Sequence, residues 1–124
     1  MQGDMDTPYD ISERTFLYAC RIVDLCKPIL PPGGAAREIA RQLMRSGTSI
    51  GANIEEAKAA ESKPDFRSKL AISRKEARES RYWLRLMIYA DPRMKSAAAP
   101  LIDETRQLIQ IVTTMKMNAE RRGE

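Results

Sequence analysis

A seam of apolar and small residues at alternating steps of four and three, Phe66, Leu70, Ser73, Ala77, Ser80, Leu84 and Met87, constrains this chain more than any other feature. That period holds one stripe on one side of an α-helix for about six turns and cannot serve a strand, whose side chains repeat every second residue. A start signal stands just ahead of it. Ser62 lies three residues before Asp65, so its hydroxyl caps the first turn while the carboxylate bonds back, and Pro64 sits where no amide hydrogen is needed. A helix over residues 63–90 is therefore expected. Its seam is large at the ends and small in the middle, which lets a neighbouring helix come close. A second apolar line, Ile72, Trp83, Leu86 and Ala90, widens the buried face enough for more than one partner.

The rest of the chain reads as three further helices. The first, over 12–27, opens with Ser12 and Glu13 and turns Phe16, Cys20, Val23 and Cys26 or Ile22 inward. Pro28 ends it, and the connector to Gly34 is too rich in proline for helix, though its Ile29 and Leu30 are apolar enough to cover one end of a core. Residues 1–10 read as frayed or docked at Tyr9. The second helix, over 35–60, carries Ile39, Leu43, Ile50, Ile54 and Ala57 at helical spacing. Its middle, Arg45 to Asn53, holds two glycines, two serines and a threonine, which lower local helix propensity by about 3 kcal/mol against alanine. Because the apolar period passes through without a phase shift, the stretch reads as a surface where small side chains admit another backbone. Asn53 would then bond across to another helix, to Glu79 or to an arginine of the central helix. After a turn at Asp91-Pro92, Pro100 fits the first turn of a last helix over 98–121, with Leu101, Leu108, Val112, Met115 and Ala119 in line and Ile102 and Ile109 beside them; the tail from Asn118 reads as loose. The fold class is all-α, an up-down-up-down antiparallel four-helix bundle forming one domain over 1–124.

Composition removes several functions. No histidine is present, which takes away the commonest general base and metal ligand. No glycine-rich phosphate loop follows a strand, the N-terminus lacks a signal-peptide core, and no run approaches the length of a membrane span. A cytoplasmic protein with two reduced cysteines in its core, no cofactor, no metal, no catalytic residues and no membrane partner is the expectation. A carboxylate pair such as Glu76 and Glu79 could hold a metal, but glutamates three apart on a helix more commonly form surface ion pairs.

Charge is concentrated on the central helix. Between Lys63 and Arg93 stand nine basic residues and four acidic ones, so the segment's net of +5 accounts for the +4 of the whole chain. Arg67, Arg74, Arg78, Arg81 and Arg85 lie at spacings of seven, four, three and four, which keeps five guanidinium groups on one flank beside the seam. As a row of rigid donor forks, they match a phosphate backbone. As charges flanking a bundle seam, they would instead pack their stems on it and pair with acids of another helix or subunit. Both readings are open from the sequence.

Two motifs carry a resemblance. Ser49-Ile50-Gly51-Ala52-Asn53-Ile54-Glu55-Glu56-Ala57, followed by Phe66 and by Ile72-Ser73-Arg74-Lys75-Glu76-Ala77-Arg78-Glu79-Ser80-Arg81-Tyr82-Trp83-Leu84-Arg85-Leu86, resembles the bacterial four-helix bundle family that includes proteins encoded in intervening sequences of large-subunit ribosomal RNA genes. Glu55 and Ala57 depart from that family's usual Asn-Ile-Ala-Glu-Gly, and Glu76 stands where many members have serine. The resemblance implies a helical protomer, a ring-like homopentamer and a largely unassigned function. It also makes Ser49, Asn53, Glu79, Tyr82 and Trp83 candidates for helix or subunit packing. A more distant likeness, to the accessory protein of diversity-generating retroelements, implies nucleic-acid binding by analogy of architecture. The expected function is a non-enzymatic homo-oligomer that binds RNA or DNA through the basic face of the third helix. The alternative is an oligomeric adaptor for a protein partner, with no affinity for nucleic acid.

Overall fold

The computed structural model describes residues 8–31 and 33–122; the expectation for residues 1–7 and for docking at the Tyr9 side chain lies outside the described residues. Four helices follow one another: α1 (Pro8–Cys26), α2 (Gly34–Lys58), α3 (Lys63–Ala90) and α4 (Lys95–Arg121), with a 3-10 turn over Pro92–Met94 between the last two. Each helix packs on the next, and α4 returns to α1, so the molecule is an antiparallel four-helix bundle.

The central helix starts where its cap residues stand. Ser62 accepts the Asp65 backbone N–H at 3.1 Å, and Pro64 occupies the first turn. Leu70, Ser73, Ala77, Ser80, Leu84 and Met87 are buried, as the seam requires, and Phe66 is half-buried against the core. α2 runs unbroken through its small residues because they meet α1. A Cβ at Gly47 would stand 2.9 Å from Ile22 Cγ1, and one at Gly51 would stand 2.9 Å from Thr15 Oγ1 and 3.3 Å from the Thr15 backbone. At the head of α2, Gly33 and Gly34 both hold φ of +80°, a region that a side chain disfavours.

That contact sets the face of α1, and it is not the expected one. Phe16 is 62% exposed and Cys20 is exposed rather than in the core, with Val23 half-buried; Ile22 and Cys26 are buried as expected, and Ile11, Thr15, Tyr18 and Leu25 complete the face. Three side chains decide the rotation: Ile22 and Thr15 seat against the bare glycines of α2, and Tyr18 finds a buried hydroxyl partner. Its Oη lies 2.6 Å from Thr105 Oγ1 of α4 and stands near Ser80 of α3, whose Oγ lies 2.9 Å from Ser46 Oγ of α2. A buried cluster of hydroxyls, bonded in two pairs, thus draws on all four helices. Burial pushes the Tyr18 phenol up to about 12 and the Cys26 thiol to about 11.

Three boundaries also moved: α1 begins at Pro8, so residues 8–10 are helical rather than frayed and Ser12 lies inside the helix instead of opening it, and both ends of α4 shift. α4 begins at Lys95, three residues early, because Asp91 caps the 3-10 turn by accepting the Arg93 N–H at 3.1 Å and the turn runs straight into the helix. Pro100 therefore lies inside α4, on its exposed side, where the carbonyl it leaves without a donor can turn to water. At the other end, Asn118 to Arg121 are helical rather than loose, anchored by buried Ala119.

Candidate nucleic-acid interface

α3 gives its seam to the core and its outer flank to solvent. Arg78, Arg81 and Arg85 are exposed on that flank, while Arg67 and Arg74 are half-buried toward the end of α4. Among the described residues, none of the five makes a hydrogen bond or an ion pair, and one terminal nitrogen of Arg67 is enclosed without a partner. Arg67 and Arg74 are near enough to Glu120 that their charge, after the bond and charge of Lys116, holds that carboxyl below the usual carboxylate range. From Arg67 to Arg85 the row spans about 27 Å of helix axis.

The acids of α3 do not neutralise this row, because they point elsewhere. Glu76 and Glu79 both take Arg45 of α2, at 3.2 and 2.7 Å, and they do not combine with other ligands: among the described residues no three His, Cys, Asp or Glu side chains gather at one point. Asp65 is taken by Lys69 at 2.9 Å, which lowers its carboxyl below the usual range. The flank is therefore a row of open guanidinium donors beside a helix whose own carboxylates are occupied.

The candidate packing residues fall into two places. Ser49 and Asn53 are half-buried on α2, near Arg45, and both bond their own helix: Ser49 Oγ donates to the Arg45 carbonyl at 2.6 Å, and Asn53 Nδ2 to the Ser49 carbonyl at 2.9 Å. Asn53 thus bonds neither Glu79 nor an arginine. The polar contact between these helices comes from residues with shorter reach, Ser46 with Ser80 and Ser73 Oγ donating to the Ile50 carbonyl at 2.9 Å, because the small seam brings the backbones too close to need an amide. Glu79 stands at this α2–α3 edge. Tyr82 is 57% exposed on the outer face and meets half-buried Trp83 edge-on, with ring centroids 5.1 Å apart.

Sequence reasoning missed Tyr89, which is 83% exposed and seven residues beyond Tyr82 on the arginine flank; the spacing itself was the available signal. It also missed the outward face of α1, where Phe16 and Leu17 are exposed and a hollow of about 240 Å³ opens between α1 and α2, lined by Thr15, Phe16, Ala19, Thr48 and Gly51 among others. Ser12 Oγ is buried at its edge without a partner.

The model of the family described as 23S rRNA-intervening sequence protein matches residues 9–114. The chain belongs to that family. A crystal structure from Bacteroides thetaiotaomicron VPI-5482, of a protein with unknown function from the S23 ribosomal protein family, is similar to this intervening-sequence protein family member at 31% identity. The likeness covers 89% of this chain and 97% of that one, with a TM-score of 0.81. No curated protein matches. Among the described residues of this family member, no helix is long and apolar enough to cross a membrane.

Proposed function

We propose that this protein is a non-enzymatic homo-oligomer that binds nucleic acid, RNA or DNA, through the arginine flank of α3, with Arg74, Arg78, Arg81 and Arg85 as phosphate contacts and Arg67 at the margin. The single observation that carries the reading is the absence of any acid partner for Arg78, Arg81 and Arg85 among the described residues, while Arg45 occupies Glu76 and Glu79. Neither Glu76 nor Glu79 lies three or four residues from Arg74, Arg78, Arg81 or Arg85, so α3 offers this row no carboxylate within reach and leaves its forks open to an outside anion. The homo-oligomer draws support from the exposed Phe16 and Leu17 beside the α1–α2 hollow, an apolar surface that a second copy would cover.

The test is binding to structured RNA and to duplex DNA across a salt series, with Arg74, Arg78 and Arg81 changed together to Gln, while light scattering follows the oligomer. Affinity that falls steeply with salt, with a shallower slope in the triple variant and an unchanged assembly, is the expected outcome. No binding by the wild type, with the variant separating into smaller species, would assign those arginines to contacts between copies and favour an adaptor for a protein partner.

A further inference from the structure

The arginine flank is not purely basic. Tyr82 and Tyr89 lie on it at steps of four, three and four with Arg78 and Arg85, so that arginine and tyrosine alternate down the last three turns of α3. Both rings are open to solvent, at 57% and 83%. Single exposed aromatics are ordinary on a protein surface; two on one flank, Tyr82 between unpaired Arg78 and Arg85 and Tyr89 one turn beyond Arg85, are a different arrangement.

We infer that Tyr82 and Tyr89 form a stacking platform for bases of an unpaired nucleic-acid strand whose phosphates are held by Arg78, Arg81 and Arg85. This rests on the function proposed above and names the form of nucleic acid it takes. Every base has an apolar face that stacks on an aromatic ring, and such stacking tolerates any sequence. The two rings are separated by about two helical turns, about 10 Å along the axis, so each can take a separate base of one strand. The edge-on contact with half-buried Trp83 holds the Tyr82 ring in place, so less freedom is lost when a base lands on it. A duplex cannot use the pair. Its base faces are already stacked on one another, so in a duplex no base face is open to either ring.

The experiment compares single-stranded RNA, single-stranded DNA and duplex DNA of equal length and low self-complementarity at one low salt concentration. The proteins are the wild type, the pair Tyr82→Leu and Tyr89→Leu, the pair Tyr82→Phe and Tyr89→Phe, and the arginine triple variant. Circular dichroism and light scattering check that each is folded and assembled as the wild type is. The expected result is tenfold or tighter binding of single strands over duplex, a loss of about tenfold or more on single strands in the leucine pair with duplex binding unchanged, and wild-type affinity in the phenylalanine pair. Emission from Trp83, the chain's one tryptophan, should change with single strands and not with duplex. Equal binding of all strands by the leucine pair and the wild type, with binding still lost in the arginine triple, would overturn the platform and leave the arginine flank standing. A leucine pair that stays folded but changes its assembly would also overturn it, making the tyrosines a contact between copies. Failure of the wild type to bind any strand would overturn both readings.

Discussion

Arg45 illustrates how one residue determines what its neighbours are free to do. Its guanidinium bridges Glu76, which is 8% exposed, and Glu79, which is half-exposed, and the bond to Glu79 followed by the charge of Glu76 raises its pKa further. The two halves of the bridge are unequal. A half-exposed pair such as Arg45–Glu79 contributes little in water, whereas Glu76 without a partner would be a charge left at the buried edge of the seam. Arg45→Ala is therefore expected to lower stability by about 1–2 kcal/mol, and Glu76→Gln in the Arg45→Ala background to restore much of that loss, because the amide needs no counter-charge. Urea midpoints of the two single variants and the double variant form the cycle. Equal midpoints for Arg45→Ala and the wild type would mean that Glu76 draws its solvation from water and that Arg45 does not occupy it in solution.

At the scale of the helix, the contact between α1 and α2 rests on what Gly47 and Gly51 lack. Gly51→Ala raises helix propensity by about 1 kcal/mol but places a methyl 2.9 Å from Thr15 Oγ1 and 3.3 Å from the Thr15 backbone, which cannot rotate away. Overpacking of this kind costs about 1–3 kcal/mol, so a net loss is expected, larger than for Gly47→Ala, whose new methyl meets only Ile22 side-chain atoms. Thermal midpoints of the two variants check the order; a stabilised Gly51→Ala would show that α1 sits farther from α2. The same contact explains what the sequence could and could not reveal. The inward faces of α2, α3 and α4 were legible because Leu43 to Ala57, Leu70 to Met87 and Leu101 to Ala119 each repeat one unambiguous stripe. α1 offers two stripes of similar apolarity, one through Phe16 and Cys20 and one through Tyr18 and Ile22, and periodicity alone does not choose between them. The choice was made by the glycines of another helix and by a hydroxyl partner 87 residues away, neither of which local spacing records. The arginine row was legible for the same reason as the seams; that its acids belong to Arg45 was not, since the pairing depends on how α2 and α3 are set against each other.

Across the whole molecule, the four helices share one buried layer in which Tyr18 meets Thr105 and, beside them, Ser80 meets Ser46. Apolar seams alone would tolerate small slips along the helix axes; hydroxyls that must meet within about 3 Å do not, so the layer fixes the register of the bundle. It also ties stability to alkaline pH. Burial holds the Tyr18 phenol protonated up to about 12, while in the unfolded chain it gives up its proton near its ordinary value of 10. Below pH 10 both states carry the proton and the difference contributes nothing to the pH dependence. Between pH 10 and 12 the unfolded chain sheds a proton that the bundle keeps, so stability falls as pH rises, by about 3 kcal/mol over that interval. Cys26 adds a fall of the same sign between its ordinary 9 and about 11. Tyr18→Phe separates the two. It removes the phenol while Thr105 Oγ1 keeps its bond to the Leu101 carbonyl at 2.6 Å, so at pH 8 the variant should be weaker by only about 1 kcal/mol. Above pH 10 its stability should fall less steeply than the wild type's, and the two urea midpoints should converge by pH 11. Parallel curves from pH 8 to 11 would mean that the phenol ionises as readily in the bundle as in the unfolded chain, and that the layer joining the four helices is open to water.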